Sequence, residues 1–119
     1  TTLMVVEDDP INMMLINEVL TKMGFNVVKA ENGKKALEIL PLHDPALIFM
    51  DVNMPEMDGY ATTRLIRQLP EPWCSLPVTA DAMIGDKERC LEAGMDDYIS
   101  KPFRLEEIEA VLKNRVLMV

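Results

Sequence analysis

The chain has 119 residues, of which 49% are apolar and 27% charged, and this composition is typical of one soluble globular domain rather than a disordered segment. Twelve Lys and Arg against twenty Asp and Glu leave a formal charge of −8, which argues against direct binding to nucleic acid. No apolar run approaches the ~20 residues that cross a bilayer, and no secretory signal is visible at the N-terminus. We therefore expect a cytoplasmic domain without membrane contact.

The few cysteine and histidine residues argue against a disulfide or a zinc site. Cys74 and Cys90 lack CxxC spacing, and we expect both to be buried thiols. His43 is the only histidine, and the sequence around it predicts a loop rather than a helix.

The first half of the chain alternates short apolar runs with stretches of helical periodicity, which is the pattern of a βα repeat. Asp9 is a good N-cap, Pro10 suits the first helical position, Asn32 is a second candidate cap, and Gly24 is suited to ending a helix. The predicted elements are a strand Leu3–Glu7, a helix Pro10–Met23, a strand Asn26–Ala30 and a helix Gly33–Leu40.

The second half continues the repeat, with Pro70 and Pro72 ending the third helix and Gly94 ending the fourth. Gly59 and Gly94 are expected to relieve local backbone strain. The predicted elements are a strand Ala46–Asp51, a helix Asp58–Leu69, a weak strand around Leu76–Thr79, a helix Ala82–Ala93, a strand Asp97–Ser100 and a helix from Leu105 to about Leu117.

The apolar positions of the helices predict which sides face the core. Because the connections are short, the five strands must be parallel with helices on both faces, which is a doubly wound α/β fold. The predicted inward residues are Leu15, Ile16, Val19, Leu20 and Met23 in the first helix, Ala61, Leu65, Ile66 and Leu69 in the third, and Leu105, Ile108, Val111 and Leu112 in the fifth.

Charged and hydroxyl residues follow the strands at the edge of the sheet where such folds bind ligands. The first strand ends in Glu7 and Asp8, the third in Asp51 and the fourth in Thr79, and Lys101 follows the fifth. Clustered carboxylates repel one another unless a cation neutralises them, and Mg²⁺ prefers carboxylate, water and phosphate oxygens. The neighbouring Asp9 is explained by helix capping.

Four separated motifs occur in one order: Val5-Val6-Glu7-Asp8, then Phe49-Met50-Asp51-Val52-Asn53-Met54-Pro55 with Met57-Asp58-Gly59, then Thr79-Ala80, then Tyr98-Ile99-Ser100-Lys101-Pro102-Phe103. Together they resemble the receiver domains of response regulators in two-component signalling, from Leu3 to about Leu117. The resemblance implies a flavodoxin-like (βα)₅ three-layer sandwich with parallel strand order 2-1-3-4-5, occupying residues 1–119 as one domain.

The resemblance also implies roles for individual residues. Asp51 would accept a phosphoryl group, while Asp8, Asp51 and the backbone carbonyl of Asn53 would bind Mg²⁺. Glu7 would be the outer acid, reaching the metal directly or through water. The remaining roles fall to Lys101, which would pair with the phosphoryl oxygens, to Thr79, which would donate its hydroxyl to one of them, and to Tyr98, the aromatic switch residue.

The expected activity is autocatalysed phosphorylation and dephosphorylation, with the phosphoryl group supplied by a histidine kinase or histidine phosphotransfer domain. The resemblance is to receivers of hybrid sensor kinases in particular, so the domain belongs either to such a membrane-bound kinase or to a free regulator. A homodimer through the fourth helix, fifth strand and fifth helix is a further expectation. Two other classes stay open: a Mg²⁺-dependent phosphatase that uses an aspartyl phosphate, and a pseudo-receiver that only binds partners.

The fourth strand conflicts with the expected fold. Pro77 is followed only by Val78 and Thr79, about three residues fewer than the family usually places before its hydroxyl residue, and proline is unfavourable inside a sheet. Either Trp73–Leu76 completes the strand, or the sequence joins two segments across absent residues. We favour the second alternative.

Overall fold

The computed structural model describes residues 1–52, 54, 57–70, 73, 78–82, 86–100 and 105–115. Five parallel strands form one sheet in the order 2-1-3-4-5, as the family resemblance predicts. The strands are β1 (Thr2–Val6), β2 (Asn26–Ala30), β3 (Ile48–Asp51), β4 (Val78–Ala82) and β5 (Asp97–Ser100).

Helices follow each strand, which confirms the doubly wound α/β fold. None of the helices in the described ranges combines the length and the apolar character that a bilayer crossing requires. They are α1 (Pro10–Lys22), α2 (Gly33–His43), α3 (Gly59–Arg67), α4 (Lys87–Glu92) and α5 (Leu105–Arg115).

Two apolar clusters cover the two faces of the sheet. Because a parallel sheet carries helices on both faces, its inner strands read as continuous apolar runs, and Leu3 through Val6 are all fully or almost fully buried. Alternate residues enter different clusters: Met4 and Val6 pack with residues of α2, α3 and α4, whereas Leu3 and Val5 pack with residues of α1 and α5. The molecule is thus a three-layer sandwich.

The local signals at helix ends predicted the structure well. Asp9 caps α1 by accepting a hydrogen bond from the Ile11 amide at 2.9 Å, and Asn32 caps α2 by accepting from the Lys35 amide at 2.7 Å. Gly24 follows α1 with φ at +93°, a conformation that costs glycine little. The ends of β2 and β5 also lie where the sequence placed them.

The second helix is longer than predicted. It continues past Leu40 through Pro41 to His43, and Asp44 ends it in the left-handed conformation with φ at +45°. Pro41 lacks the N–H that would bond the Leu37 carbonyl, so α2 loses one hydrogen bond there and ends two residues later. The prediction that His43 lies in a loop is therefore wrong, although its exposed side chain lies near the beginning of β3 and so at the sheet edge opposite Asp51.

In three helices, one leucine that the apolar periodicity places inside is exposed. Other predicted inward residues are buried as expected: Ile16, Leu20, Ile66, Ile108, Val111 and Leu112. Leu15, Leu65 and Leu105 were expected inside and are instead 48%, 38% and 50% exposed. In α3 the buried side includes Thr62 and Thr63, whose small side chains fit where helices approach closely. The apolar stripe of each helix is thus wider than the sheet surface that it covers, and the three leucines at its margin remain exposed.

The fourth strand lies later in the sequence than expected. It runs from Val78 to Ala82, so Ala82 is a strand residue and not the first residue of α4, which begins at Lys87. Trp73 forms a short turn by donating its amide hydrogen to the Pro70 carbonyl, so the first alternative for completing the strand is wrong at this residue. Residues 74–77, including Cys74, lie outside the described ranges, and the alternative of absent residues stays a prediction.

A salt bridge holds the beginning of β4. Asp96 accepts hydrogen bonds through Oδ2 from the Val78 amide at 2.9 Å and from the Arg67 guanidinium at 2.6 Å. Arg67 also donates to the Gly94 carbonyl at 2.7 Å, and the Asp96 amide donates to the Val78 carbonyl at 2.8 Å. Charge-assisted bonds of this kind are stronger than neutral ones, so they fix the strand where it enters the sheet.

The α3–α4 contact is built around Tyr60. The Arg89 guanidinium lies 4.7 Å from the centre of the Tyr60 ring. The Tyr60 hydroxyl faces Cys90, a buried free thiol, and makes no hydrogen bond of ordinary geometry to the described residues. Burial raises the pKa of Tyr60 to about 12; Cys90 and Asp86 add to this shift, and Arg89 opposes it. Burial likewise raises the pKa of the Cys90 thiol, which therefore behaves as a small apolar side chain, as predicted.

Candidate functional site

Three carboxylates meet at the carboxyl edge of the sheet. Glu7 and Asp8 follow β1, Asp51 is the last residue of β3, and one oxygen from each lies within 4.8 Å of the other two. Glu7 and Asp51 are only 2% and 1% exposed, whereas Asp8 is exposed. The predicted convergence of these acids is confirmed.

The register of β1 and β3 brings the acids together. Val6 pairs with Met50, so the next residue of each strand, Glu7 and Asp51, reaches the same level. The Glu7 amide continues the ladder by donating to the Ala30 carbonyl at 3.0 Å. A side chain from the first turn of α1 also contacts the acids: the side-chain amide of Asn12 donates to Glu7 Oε1 at 3.5 Å.

The chemistry of this cluster fits a hard divalent cation. Burying a charged group costs several kcal/mol unless an opposite charge compensates for it, and here two of the three acids are buried beside a third. Mg²⁺ uses carboxylate oxygens together with water or phosphate oxygens, which leaves an open side for a substrate. Glu7, Asp8 and Asp51 therefore form an acidic pocket that could bind Mg²⁺.

The turn after Asp51 is held by the first turn of α3. Asp58 caps this helix by accepting from the Ala61 amide at 2.8 Å, and the Gly59 amide donates to the Val52 carbonyl at 3.3 Å. Gly94 has a positive φ of +102°, as its predicted role in relieving strain requires, but Gly59 is an ordinary helical residue. The prediction of strain at Gly59 is wrong, and the reason for a glycine there is the close approach of neighbouring backbone.

Thr79 does not lie at the end of its strand. The register pairs Thr79 with Phe49 and Asp81 with Asp51, so Thr79 lies two residues, or roughly 6.6 Å, before the level of Asp51. Its side chain is fully buried, and its Oγ1 has no hydrogen-bond partner among the described residues. The sheet therefore places Thr79 beneath the acidic pocket instead of beside it.

The other predicted site residues are only partly covered by the described ranges. Asn53 and Lys101, together with the Lys101–Pro102 peptide, lie outside them. Tyr98 is half-buried and packs against the apolar cluster that contains Val78. Asp9 caps α1 and is not part of the metal-binding group, as expected.

A cavity of about 340 Å³ opens beside the acids, between β1–α1 and β2–α2. Besides Glu7 and Asp8, it is lined by Lys29 and Lys35, which the sequence analysis did not select. Both are exposed lysines that look like ordinary surface residues in the sequence. Only their positions in the sequence could have indicated that they line the cavity, because Lys29 is the next-to-last residue of β2 and Lys35 lies in the first turn of α2.

The family model of the response regulator receiver domain matches residues 3–113. The chain belongs to this family. Receiver domains act in two-component signalling, and the fold and the acidic edge described above are consistent with that membership.

Similar sequences include receivers that are parts of much longer kinases. The chain is 42% identical over 110 residues to the sensor histidine kinase RcsC of Escherichia coli K12, covering 92% of this chain and 12% of RcsC. It is 37% identical over 112 residues to the hybrid signal transduction protein dokA of Dictyostelium discoideum, covering 94% of this chain and 7% of dokA. These proteins confirm the predicted similarity to hybrid-kinase receivers, and the chain spans only a small part of their length.

Among solved structures, the receiver domain of the sensor histidine kinase PA1611 from Pseudomonas aeruginosa PAO1 has a TM-score of 0.87. It is 34% identical, and the match covers 96% of this chain and 95% of that one. A magnesium ion is coordinated in its active site cleft.

The acidic cluster predicts that Asp8→Asn weakens Mg²⁺ binding by at least about tenfold, because even outer partners of metal ligands are typically worth about 10–100-fold in affinity. Isothermal titration calorimetry measures this change. Asp9→Asn is the matched control, since it removes the same charge from the next residue while asparagine preserves the cap. Equal affinities in the two variants would show that Asp8 is not a ligand.

Proposed function

We propose that this receiver accepts a phosphoryl group on Asp51 from a phosphohistidine, with Mg²⁺ bound by Asp8, Asp51 and the carbonyl of Asn53. The observation that carries the proposal is the grouping of Glu7, Asp8 and Asp51 within 4.8 Å at the carboxyl edge of a receiver fold. Asp51 is the natural acceptor because it ends β3 and is buried between the other two acids and the first turn of α3.

The transfer step is a substitution at phosphorus. One Asp51 oxygen forms a bond to phosphorus while the bond from phosphorus to the imidazole nitrogen breaks. Because the other ring nitrogen of the phosphohistidine carries a proton, the imidazole leaves as the neutral ring. Bound Mg²⁺ supplies positive charge that offsets repulsion between the carboxylate and the phosphoryl oxygens. Glu7 would hold the cation directly or through water, and the side-chain amide of Asn12, which donates to Glu7 Oε1 at 3.5 Å, would orient it. Hydrolysis of the acyl phosphate returns the domain to its initial state.

Three further residues complete the proposed switch. Lys101 pairs with the phosphoryl oxygens, Thr79 donates its hydroxyl to one of them, and Tyr98 follows the movement of Thr79. Since Thr79 lies two residues below Asp51, this role requires β4 to move along β3 when the phosphoryl group arrives. The Asp96 bonds that fix the beginning of β4 must break for this movement. The Thr79 hydroxyl is buried and bonds no described residue, so no hydrogen bond to them must break before it donates to a phosphoryl oxygen.

The two rival functions make different predictions. A phosphatase would turn over a phosphomonoester many times, whereas a receiver takes up one phosphoryl group from a phosphoramidate or acyl phosphate. A pseudo-receiver would take up none. Neither rival explains the acidic cluster and the family membership together as simply as phosphoryl acceptance does. The single domain, the homodimer and the cytoplasmic location expected from the sequence remain predictions.

An exposed apolar stripe on α1 is the surface that we assign to the phosphodonor. Ile11 and Met14 are 64% and 59% exposed, Leu15 lies beside them, and the helix begins directly after Asp8 and Asp9. A donor histidine that reaches Asp51 must belong to a partner that covers this edge, because His43 lies at the opposite one. The partner is a histidine kinase or phosphotransfer domain, whose apolar helices would pack on this stripe.

The first prediction of the proposal is that Asp51→Asn abolishes phosphoryl incorporation from acetyl phosphate and Mg²⁺, because an amide oxygen is a poor nucleophile. Intact-mass spectrometry detects the added group. Asp44→Asn is the control, since asparagine tolerates the left-handed conformation at that position. Incorporation by Asp51→Asn at the wild-type rate would refute the assignment.

The second prediction concerns Thr79. Thr79→Val should leave the free energy of unfolding of the unphosphorylated protein equal or about 1 kcal/mol higher, because it removes a buried hydroxyl that bonds no described residue. The same variant should lose about 1.5–3 kcal/mol of the stabilisation gained on phosphorylation, the usual value of a hydrogen bond to a charged group. Urea unfolding with and without excess acetyl phosphate and Mg²⁺ measures both quantities. Thr79→Ser should behave as wild type, and an unaltered gain in Thr79→Val would exclude the hydroxyl as a phosphoryl ligand.

The third prediction separates docking from chemistry. Ile11→Glu should slow transfer from a phosphorylated phosphotransfer domain by at least about tenfold, since loss of one buried isoleucine contact is worth about 1.5–3 kcal/mol. Uptake from acetyl phosphate should not change. Leu42→Glu alters a leucine that is 76% exposed at the far end of α2 and serves as the control. Equal effects on both donors, or equal effects of both substitutions, would contradict the docking surface.

A further inference from the structure

The first residue of α3 touches the backbone that carries the phosphoacceptor. A methyl group built on Gly59 would lie 2.7 Å from Val52 Cα and 2.9 Å from the Asp51 carbonyl carbon, and closer still to the Asp51 carbonyl oxygen. All three are backbone atoms, which cannot swing aside as the end of a long side chain can. Any side chain at position 59 must therefore displace the end of β3 or the beginning of α3.

Hydrogen bonds fix α3 in this close position. The Gly59 amide donates to the Val52 carbonyl at 3.3 Å, and Asp58 caps the helix by accepting from the Ala61 amide. The Thr62 hydroxyl and amide both donate to the Asp58 carbonyl, at 2.9 and 3.0 Å. The first turn of α3 is thus a rigid unit that rests directly on the Asp51–Val52 peptide.

The second helix prevents this turn from moving away. A methyl group built on Gly33, the first residue of α2, would contact the Thr62 hydroxyl and lie 3.1 Å from Thr62 Cβ and 3.3 Å from the Met57 carbonyl oxygen. The turn is therefore enclosed, with β3 on one side and the beginning of α2 on the other. The contact with β3 is made at Gly59 and the contact with α2 at Gly33, and neither residue has a side chain.

We propose that Gly59 is a positioning residue for Asp51: the close packing of α3 on the Asp51–Val52 peptide holds the acceptor carboxylate in the acidic cluster. This proposal rests on the proposed function for its consequence in phosphoryl transfer. Transfer in line with the leaving group is sensitive to position, and a displacement of about 1 Å can slow a reaction by about a hundredfold. Packing of backbone against backbone gives such precision without a side-chain hydrogen bond.

The test is Gly59→Ala. Alanine favours a helix more than glycine does, so local propensity alone would make this variant at least as stable as the wild type. Displacement of Asp51 has other effects: we expect Mg²⁺ affinity to fall by at least about tenfold and the rate of phosphorylation at saturating acetyl phosphate to fall by at least about tenfold. In the metal-free protein, the amide NMR signals of Asp51 and Val52 should also move.

Gly24→Ala is the matched control. It makes the same substitution at a residue whose added methyl group would meet no atom within 4 Å, but whose positive φ of +93° strains any side chain. This variant should unfold at a lower urea concentration while keeping wild-type metal affinity and phosphorylation rate. If Gly59→Ala keeps its metal affinity and phosphorylation rate as Gly24→Ala does, or loses them only in proportion to its unfolded fraction, the proposal is wrong.

A measurement on the wild-type protein covers the case in which Gly59→Ala does not fold. Titration with Mg²⁺ should shift the amide NMR signal of Gly59, which bonds to Val52, and leave that of Gly24 unchanged; an unchanged Gly59 signal would overturn the proposal. If the wild-type protein takes up no phosphate, the proposed function fails, whereas the metal affinities and the signals of Asp51 and Val52 still decide the role of Gly59.

Discussion

The register of β1 against β3 is the constraint on which the rest of this structure depends, because it brings three carboxylates within 4.8 Å of one another. Pairing of Val6 with Met50 delivers Glu7 and Asp51 to one level, and fully buried apolar residues beneath them keep the strand ends from separating. Glu7 and Asp51 are buried and cannot move into water without breaking that core. A cation that binds the folded state relieves the repulsion and must also stabilise the fold, because any ligand that prefers the folded state does so by mass action. The acidic pocket that could bind Mg²⁺ and the packing of the core are therefore two results of the same strand register.

How much of this could be predicted from the sequence depends on the range of the interaction. Caps are local, since Asp9 and Asn32 act on amides two or three residues away, and the sequence identified both. The acidic trio was also accessible, because parallel strands must bring their carboxyl ends to one edge. Asn12 was not, because its contact with Glu7 depends on the angle at which α1 leaves the sheet.

The incorrect predictions share a cause, which is that they depend on neighbours distant in sequence. Leu65 has the right spacing for an inward residue, yet the buried side of α3 is decided by where β3 and α2 leave room, and two threonines fill that space. His43 comes two residues after Pro41, and a proline usually indicates the end of a helix, but α2 continues through Pro41 to His43. The level of Thr79 follows from pairing with β3, which local propensity does not encode.

The fourth strand ends later, and the fourth helix begins later, than the sequence predicts. Because few residues separate Pro77 from Thr79, β4 pairs with all four residues of β3 only by extending through Asp81, and Ala82 then pairs with Ser100. Ala82, which was expected to begin α4, is thus a residue of the sheet, and α4 consists of the six residues from Lys87 to Glu92. A helix this short derives little stability from its own hydrogen bonds, so its position depends on its neighbours. These include β5 and, through Arg89 and Cys90, Tyr60 of α3. Since Tyr60 directly follows Gly59, the residue that anchors α4 and the residue that rests on the Asp51 peptide belong to the same turn of α3. One turn of α3 thus contacts both the Asp51–Val52 peptide, at Gly59, and α4, at Tyr60.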